Sequence, residues 1–338
     1  MRNVFLLGAG FSRAVSVEMP LTDQLAENDA IKSFRGRALV RSTGVESILT
    51  LLSESQPWLT EDENLRNRAD FIQFAQTVNH TIRNYQMSAI RDTGSPPDWL
   101  TSLVLKWSQD EETIITFNYD TLVEKAITHS FKQDYQQVPS SDLAWAHSAA
   151  YEVPIPRITT RSGLDGLSKS LAPPERLPRL IKLHGSLNWY YSGSEPSFGE
   201  VIYDIGIRPF WESSADDRKI GDMSRFSAGK VPLIIPPTSG KSSFFTNETV
   251  RGQWTSARRA LEEADRIVII GYSLPPGDHM VRFLLEYACA PRAGKPSKAV
   301  VAVNPDAIVS RMLQKLLGCD VKPYLTVEDF TADYVNIA

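Results

Sequence analysis

Short apolar runs recur along the chain, and most of them are followed by residues typical of turns. They lie at residues 4–7, 113–117, 179–185, 231–235, 266–273 and 298–306. Continuous apolar runs of this length are typical of strands that are buried on both faces, as in a parallel sheet. The pattern therefore predicts several buried strands spread over the whole chain.

Residues 22–108 show a different pattern, in which apolar positions repeat every three or four residues. Within residues 71–89 these positions are Phe71, Ala75, Val78, Ile82, Tyr85 and Ala89. This spacing is typical of one face of a long amphipathic helix. The stretch TGSPP at 93–97 would end that helix, because glycine and proline interrupt helices. No strand pattern interrupts this segment, so we predict a helical insertion between the first and second strands.

From residue 113 onward the predicted strands alternate with helical patterns, at 120–131, 248–264, 278–288 and 307–318. This alternation predicts an α/β fold with a Rossmann-like, doubly wound and mainly parallel sheet. We expect residues 1–338 to form one domain of this kind, with 22–108 as its helical insertion. Residues 132–178 and 186–230 have weak periodicity and are predicted to be long loops, which are often functional.

Composition and charge narrow the function classes. Of the 338 residues, 42% are hydrophobic and 22% are charged, which is ordinary for a soluble globular protein. The net charge of −4 argues against a broad nucleic-acid-binding face. No apolar stretch approaches the ~18 residues of a membrane span, and the N-terminus lacks the features of a signal peptide. We therefore expect a cytoplasmic protein that contacts no membrane and does not bind nucleic acid directly.

The cysteine and histidine content argues against a metal site. Cys289 and Cys319 are the only cysteines, too few for a disulfide framework or for a four-cysteine zinc site. The five histidines show no ligand spacing either. The sequence therefore predicts no bound metal.

Candidate ligand-binding and catalytic residues lie just after the predicted strands, where ligands bind in doubly wound folds. Residues 8–12, GAGFS, connect the first strand to a helix. The glycines either permit a tight turn and nothing more, or they leave free N–H groups at a helix start that attract a phosphate. The motif alone favours neither interpretation.

Polar residues follow the other strands as well. Asp120 is suited to capping the helix that follows the second strand, but capping does not explain Asn118. His184 ends the third strand; histidine suits acid–base chemistry, although a single histidine is more often structural. Gly271, Ser273 and Asn304 follow later strands, where turn chemistry alone could account for them.

Taken together and in order, five motifs are similar to the signature of the sirtuin-like family. They are GAGFS at 8–12, TFNYD at 116–120, KLHGS at 182–186, IIGYSL at 269–274 and VAVN at 301–304. The chain most resembles the zinc-less bacterial sirtuin-like branch, in which GAGxS, NYD, HGS and a late GYSLPPxD recur. That branch is associated with antiphage defence by depletion of NAD⁺.

The resemblance implies that NAD⁺ is the substrate, and it assigns roles to the matching residues. Asn118 and His184 would form the catalytic pair, with His184 as the base. In sirtuins the glycine-rich turn lies against the diphosphate of NAD⁺, and the later motifs contact phosphate and adenosine ribose. The residues expected to bind NAD⁺ are Gly8, Ala9, Gly10, Ser12, Asp120, Gly271, Ser273 and Asn304.

Departures from protein-deacylating sirtuins affect the expected reaction. The four zinc cysteines are absent, and the sirtuin stretch PDFR is replaced by PLTD at 20–23. We therefore expect an NAD⁺ glycohydrolase, in which water is the acceptor and the products are nicotinamide and ADP-ribose. The alternatives are an NAD-dependent protein deacylase or ADP-ribosyltransferase, and a sensor that binds NAD⁺ or ADP-ribose without catalysis.

An unregulated NAD⁺ hydrolase would deplete the NAD⁺ of its own cell. We therefore expect its activity to depend on homo-oligomerisation, on a separate activating protein such as an ATPase or a nucleic-acid-sensing partner, or on both. The helical insertion is the candidate contact surface.

Overall fold

The structure is a computed structural model. It describes residues 1–21, 24–25, 27–35, 48, 51–133, 146–157, 176–192, 200–207, 210–211, 229–235, 243–275, 277–289 and 298–336.

Strands in the described residues form two sheets. In chain order they are β1 (Asn3–Leu7), β2 (Thr113–Thr116), β3 (Arg179–Lys182), β4 (Gly185–Tyr191), β5 (Tyr203–Asp204), β6 (Val231–Ile234), β7 (Arg266–Ile270), β8 (Ala299–Val303) and β9 (Val321–Tyr324). The larger sheet has the order β3-β2-β1-β7-β8-β9, and all of its neighbouring strands are parallel. This is the strand order of a doubly wound, Rossmann-like fold, so the predicted fold class is confirmed.

Helices cover the larger sheet. Those in the described residues are α1 (Ala9–Val15), α2 (Asp29–Arg35), α3 (Glu61–Thr93), α4 (Asp98–Gln109), α5 (Leu122–Ser130), α6 (Glu248–Glu263), α7 (His279–Cys289), α8 (Ala307–Leu317) and α9 (Val327–Val335). Local sequence fixes several of their ends. Thr60 and Glu63 form a reciprocal capping box at the start of α3, and Gly318 ends α8 in the left-handed conformation.

Alternating residues of each parallel strand face two different cores. In β1, Phe5 and Leu7 belong to one buried cluster, whereas Val4 and Leu6 belong to the other. This alternation follows from the two-residue period of a strand. Because helices bury both faces of the sheet, the strands read as continuous apolar runs rather than as alternating ones.

A second, antiparallel sheet has the order β5-β4-β6. Its strand β4 lies inside the segment that the sequence predicted to be loop. The prediction was wrong there because it rested on continuous apolar runs. In β4, Leu187 and Trp189 alternate with the buried polar residues Ser186 and Asn188. Ser186 donates a hydrogen bond to Asn188 (2.6 Å), and Asn188 donates one to Asp204 of β5 (2.8 Å).

The described elements between β1 and β2 are the helices α1 to α4. They pack closely on the sheet: the ring of Trp107 in α4 lies 5.1 Å from that of Phe5 in β1, measured between centroids. The division of the chain into a sheet domain and a helical insertion stays a prediction. None of the helices within the described ranges is long and apolar enough to cross a membrane.

Candidate active site

A cleft of about 880 Å³ opens at the carboxyl ends of the parallel strands. It lies where β1 has β2 on one side and β7 on the other, which is the switch point at which doubly wound folds bind ligands. Every residue that the sequence analysis singled out for catalysis or NAD⁺ binding lines this cleft: Gly8, Ala9, Gly10, Ser12, Asn118, Asp120, His184, Gly271, Ser273 and Asn304. Their assigned roles stay predictions, but the fold brings them together.

The glycines of the first turn pack directly against the backbone at the end of β7. A Cβ atom on Gly8 would lie 2.6 Å from the carbonyl oxygen of Gly271, and one on Gly10 would lie 2.7 Å from the Gly271 Cα. Gly271 itself has a φ of +62°, and a Cβ there would overlap the backbone nitrogen of Phe11. Glycine is therefore required on both sides of this contact.

The hydrogen bonds of this turn bear on the two interpretations that the sequence left open. Gly8 donates its N–H to the carbonyl of Ile270 (3.0 Å), and Gly10 donates to that of Gly271 (2.8 Å). These two groups hold the turn against β7 and are not free for an anion. The tight-turn interpretation thus accounts for both glycines, and their contact with NAD⁺ stays a prediction.

Asn118, Ser12 and Asp120 form one hydrogen-bonded cluster at the floor of the cleft. The Asn118 side-chain nitrogen donates to the Gly8 carbonyl and to Ser12 Oγ, both at 2.9 Å. Ser12 Oγ in turn donates to Asp120 Oδ2 (2.6 Å). Within the described residues no donor contacts Asn118 Oδ1, so the amide is fixed through its nitrogen and has an oxygen left to accept from a ligand.

Asp120 is buried and engaged within the protein. Its Oδ1 accepts from the N–H of Leu122 (3.1 Å), the first residue of α5. The N-cap of this helix is Thr121 and not Asp120. Burial raises the pKa of Asp120, although the positive charge of Lys182 and the hydrogen bond from Ser12 oppose this. Lys182 also donates to the Asp120 carbonyl oxygen (2.6 Å) and to Glu124 (2.9 Å). This buried Lys182–Glu124 pair, which the sequence analysis missed, supports the floor from below.

His184 occupies the point where the chain passes from the parallel sheet into the antiparallel one. The next residue, Gly185, has a φ of +86°, and a Cβ there would overlap the Leu233 carbonyl. The imidazole packs beside the rings of Phe117 (5.6 Å between centroids) and Trp254 (6.5 Å). Burial lowers the pKa of His184, and the charge of Asp278 and a hydrogen bond with the Phe117 backbone only partly oppose this. The ring is therefore neutral at pH 7 and able to accept a proton.

An acidic residue that the sequence analysis did not assign to the site, Asp278, lies beside this histidine. Its Oδ2 lies 4.0 Å from His184 Nε2, and it accepts a hydrogen bond from the Tyr272 hydroxyl (2.6 Å). The signal was present in the sequence, because Asp278 ends the motif GYSLPPGD.

The remaining wall of the cleft carries little positive charge. Among its described lining residues, Arg13 is the one permanent cation. Its guanidinium donates to the carbonyls of Val17 and Met19 and thereby holds the segment after α1 against the cleft. At the opposite end Ser273 is exposed, and Asn304 Oδ1 accepts from the N–H of Asp306 (2.9 Å). Across the part of the chain that the structure describes, no group of three or more His, Cys, Asp or Glu side chains could hold a metal ion.

Comparisons with known proteins give only distant likeness. No protein-family model matches the chain, and no curated protein matches it. Among solved structures it is similar to a Sir2 enzyme (12% identity, TM-score 0.46, 99% of this chain and 90% of the other). It is also similar to Sir2 with an inhibitor, 2'-O-acetyl-ADP-ribose and a deacetylated p53 peptide (12%, 0.45, 98% and 91%). A third is Sir2 with a p53 peptide and NAD⁺ (14%, 0.43, 98% and 91%). Likeness at this level assigns no function to the chain.

Proposed function

We propose that the protein is an NAD⁺ glycohydrolase, which converts NAD⁺ and water into nicotinamide, ADP-ribose and a proton. One observation carries the proposal. Asn118, His184 and the glycine-rich turn, which come from distant parts of the sequence, line a single cleft at the switch point of a Rossmann-like sheet. Those residues also occur in the order of the sirtuin-like signature.

The residue types suit the chemistry of this cleavage. The bond between the ribose C1' and the nicotinamide nitrogen breaks, and its electron pair goes to the cationic ring, which needs no acid to leave. The ribose then passes through an oxocarbenium-like state, as in other glycosidic cleavages. Water attacks C1', and its proton is accepted by His184, whose buried imidazole is neutral at pH 7.

Asn118 is suited to orienting the reacting ribose. Its side-chain nitrogen is held by two hydrogen bonds, so its oxygen projects at a fixed place and loses little entropy on accepting a ribose hydroxyl. Binding of NAD⁺ also requires contacts to its diphosphate. We assign these to the turn at Ala9 and to Ser273, whose neighbours Gly8, Gly10 and Gly271 keep the two backbones in contact.

The second candidate is an NAD-dependent deacylase or ADP-ribosyltransferase, in which a protein replaces water as the acceptor. The same Asn118 and His184 would serve that reaction. The missing zinc cysteines and the replaced PDFR stretch favour water. A sensor without catalysis is less consistent with a neutral buried histidine in the cleft.

We further propose that the hydrolase acts in antiphage defence and that a homo-oligomer or a separate activating protein gates it. The resemblance of the five motifs to the zinc-less bacterial branch supports the defence role. Gating is supported by chemistry, because NAD⁺ hydrolysis without control would deplete the host's own NAD⁺. Specific activity should therefore rise with protein concentration or on addition of the activator. Constant, full specific activity of the isolated monomer would contradict gating.

The fate of the ADP-ribosyl group tests the reaction itself. The pure protein is incubated with NAD⁺ alone, and then with NAD⁺ plus an acetylated peptide. We expect equal amounts of nicotinamide and free ADP-ribose in both incubations. Nicotinamide release that requires the peptide, with ADP-ribose recovered on the acetyl group or on protein, would instead establish the second candidate.

A further inference from the structure

Two buried side chains from different parts of the fold meet beside the cleft. His184 Nε2, after β3, lies 4.0 Å from Asp278 Oδ2, just before α7, and both side chains are almost fully buried, at 7% and 2% exposure. We propose that Asp278 is the positioning residue of His184: it orients the imidazole and stabilises the imidazolium that forms when the ring accepts a proton. The inference rests on the proposed function, in which His184 is the base.

Asp278 is itself held rigidly. The Tyr272 hydroxyl donates to its Oδ2 (2.6 Å), and the N–H of Val281 donates to its Oδ1 (3.4 Å). Tyr272 lies two residues after the end of β7, and its ring packs on Phe117 at 4.5 Å between centroids. A carboxylate fixed in this way needs no reorganisation when charge develops on the neighbouring ring, which is the condition under which a buried charge contributes most to catalysis.

Several described elements pack around His184, and Asp278 supplies the carboxylate whose charge affects the pKa of this histidine. The end of β2 contributes Phe117 and the phenol Tyr119, whose ring centroid lies 6.4 Å from the imidazole. The end of β7 contributes the phenol Tyr272, and α6 contributes Trp254. Burial lowers the pKa of His184, and the charge of Asp278 raises it. Loss of that charge would leave only the hydrogen bond with the Phe117 backbone to oppose burial, and so would make the imidazolium less stable.

The substitution Asp278→Asn removes the charge and little else. Asparagine can still accept from Tyr272, and it is as good a helix cap as aspartate. The rate of nicotinamide release should fall by about 10- to 100-fold, the loss that is typical when a metal-ligating histidine loses its orienting partner. The acidic limb of the pH–rate profile should move to lower pH. The matched control is Asp306→Asn, because Asp306 caps the neighbouring helix α8 (2.8 Å to Ile308 N) but is exposed; rate and profile should be unchanged.

An NMR titration of His184 in the free protein gives a readout that does not depend on activity. The resonance is identified by its absence in His184→Gln. The pKa of His184 should be lower in Asp278→Asn than in the wild type and unchanged in Asp306→Asn. If the wild type releases no nicotinamide, the proposed function fails, and the titration still decides whether Asp278 controls the histidine.

Tyr272→Phe provides a second test in case Asp278→Asn does not fold correctly. It keeps the carboxylate but removes the hydrogen bond that holds it, so the rate should fall without a lowered His184 pKa. An unchanged rate in Asp278→Asn or in Tyr272→Phe, or an unchanged pKa in Asp278→Asn, would overturn the proposal.

Discussion

At the scale of single residues, the site depends on side chains that are held within the protein before any ligand arrives. Asn118 is fixed by Gly8 and Ser12, and His184 is enclosed by aromatic rings next to Asp278. The Asn118 amide is therefore oriented, and the His184 imidazole is neutral at pH 7, before a ligand binds. Such preorganisation is what a catalytic constellation requires.

Asn118→Ala tests the orienting role. The rate of nicotinamide release should fall by about 10²–10³, as for the loss of one catalytic hydrogen-bonding group. The two lost hydrogen bonds should also cost about 0.5–1.5 kcal/mol each in stability. Combined with His184→Ala, the loss should fall well short of the product of the two single losses, because both residues act on one transition state.

The control for that experiment is Thr116→Val. Thr116 Oγ1 accepts from the backbone N–H of Asn118 (3.1 Å) and does not line the cleft. The variant should lose stability in urea denaturation but keep its rate. A rate loss in Thr116→Val as large as that in Asn118→Ala would show that the effect comes from a disturbed strand end and not from the amide.

The pH dependence should report the neutral state of His184. Burial holds the pKa of this imidazole below its usual value of 6.5, so the base is already unprotonated at neutral pH. We expect kcat/KM to be flat around pH 7 and to fall only at a pH below 6.5 as His184 becomes protonated. A midpoint above 6.5 in the acidic limb would contradict the proposed base.

At the scale of secondary-structure elements, the cleft exists because two strand ends touch. The turn after β1 and the turn after β7 share backbone hydrogen bonds, and glycine on both sides allows the contact. The floor of the cleft rests in turn on a buried ion pair between β3 and α5. Both features predict stability effects that can be separated from catalysis.

Gly271→Ala should be strongly destabilising. The new Cβ would overlap the backbone of the first turn, at a φ that alanine adopts at a cost of roughly 1–2 kcal/mol. Gly277 lies six residues later. A Cβ there meets no described atom within 4 Å, and the residue has no positive φ, so Gly277→Ala should be close to neutral. Urea denaturation compares the two; equal stabilities would refute the close contact.

Lys182→Met should leave the Glu124 carboxylate buried without its partner. Breaking a buried pair in this way typically costs about 3–5 kcal/mol, and the double variant Lys182→Met/Glu124→Leu should recover much of it. Lys106→Met is the control, because Lys106 pairs with Asp110 at the surface (3.1 Å), where such pairs contribute about 0–1 kcal/mol. If Lys182→Met is no more destabilising than this control, the pair does not support the floor.

At the scale of the whole molecule, the features that follow from local sequence patterns could be predicted, and those that depend on contacts between distant segments could not. The parallel strands and the cleft residues could be found because they follow apolar runs, at strand ends that the fold must bring together. Strand β4 was missed because its apolar residues alternate with the polar Ser186 and Asn188 and so form no continuous apolar run. Asp278 ends the motif GYSLPPGD, but its contact with His184 joins two distant parts of the chain, and sequence order alone does not place the two side chains together.

The most direct test of the account is nicotinamide release from NAD⁺ by the pure wild-type protein and by His184→Ala, over a range of protein concentrations. NAD⁺ binding is measured in parallel. The wild type should release nicotinamide with NAD⁺ as the only substrate. His184→Ala should stay folded and bind NAD⁺ but release nicotinamide about 10²–10⁴-fold more slowly, the usual contribution of a general base. A folded His184→Ala protein that binds NAD⁺ and releases nicotinamide at the wild-type rate would contradict the account.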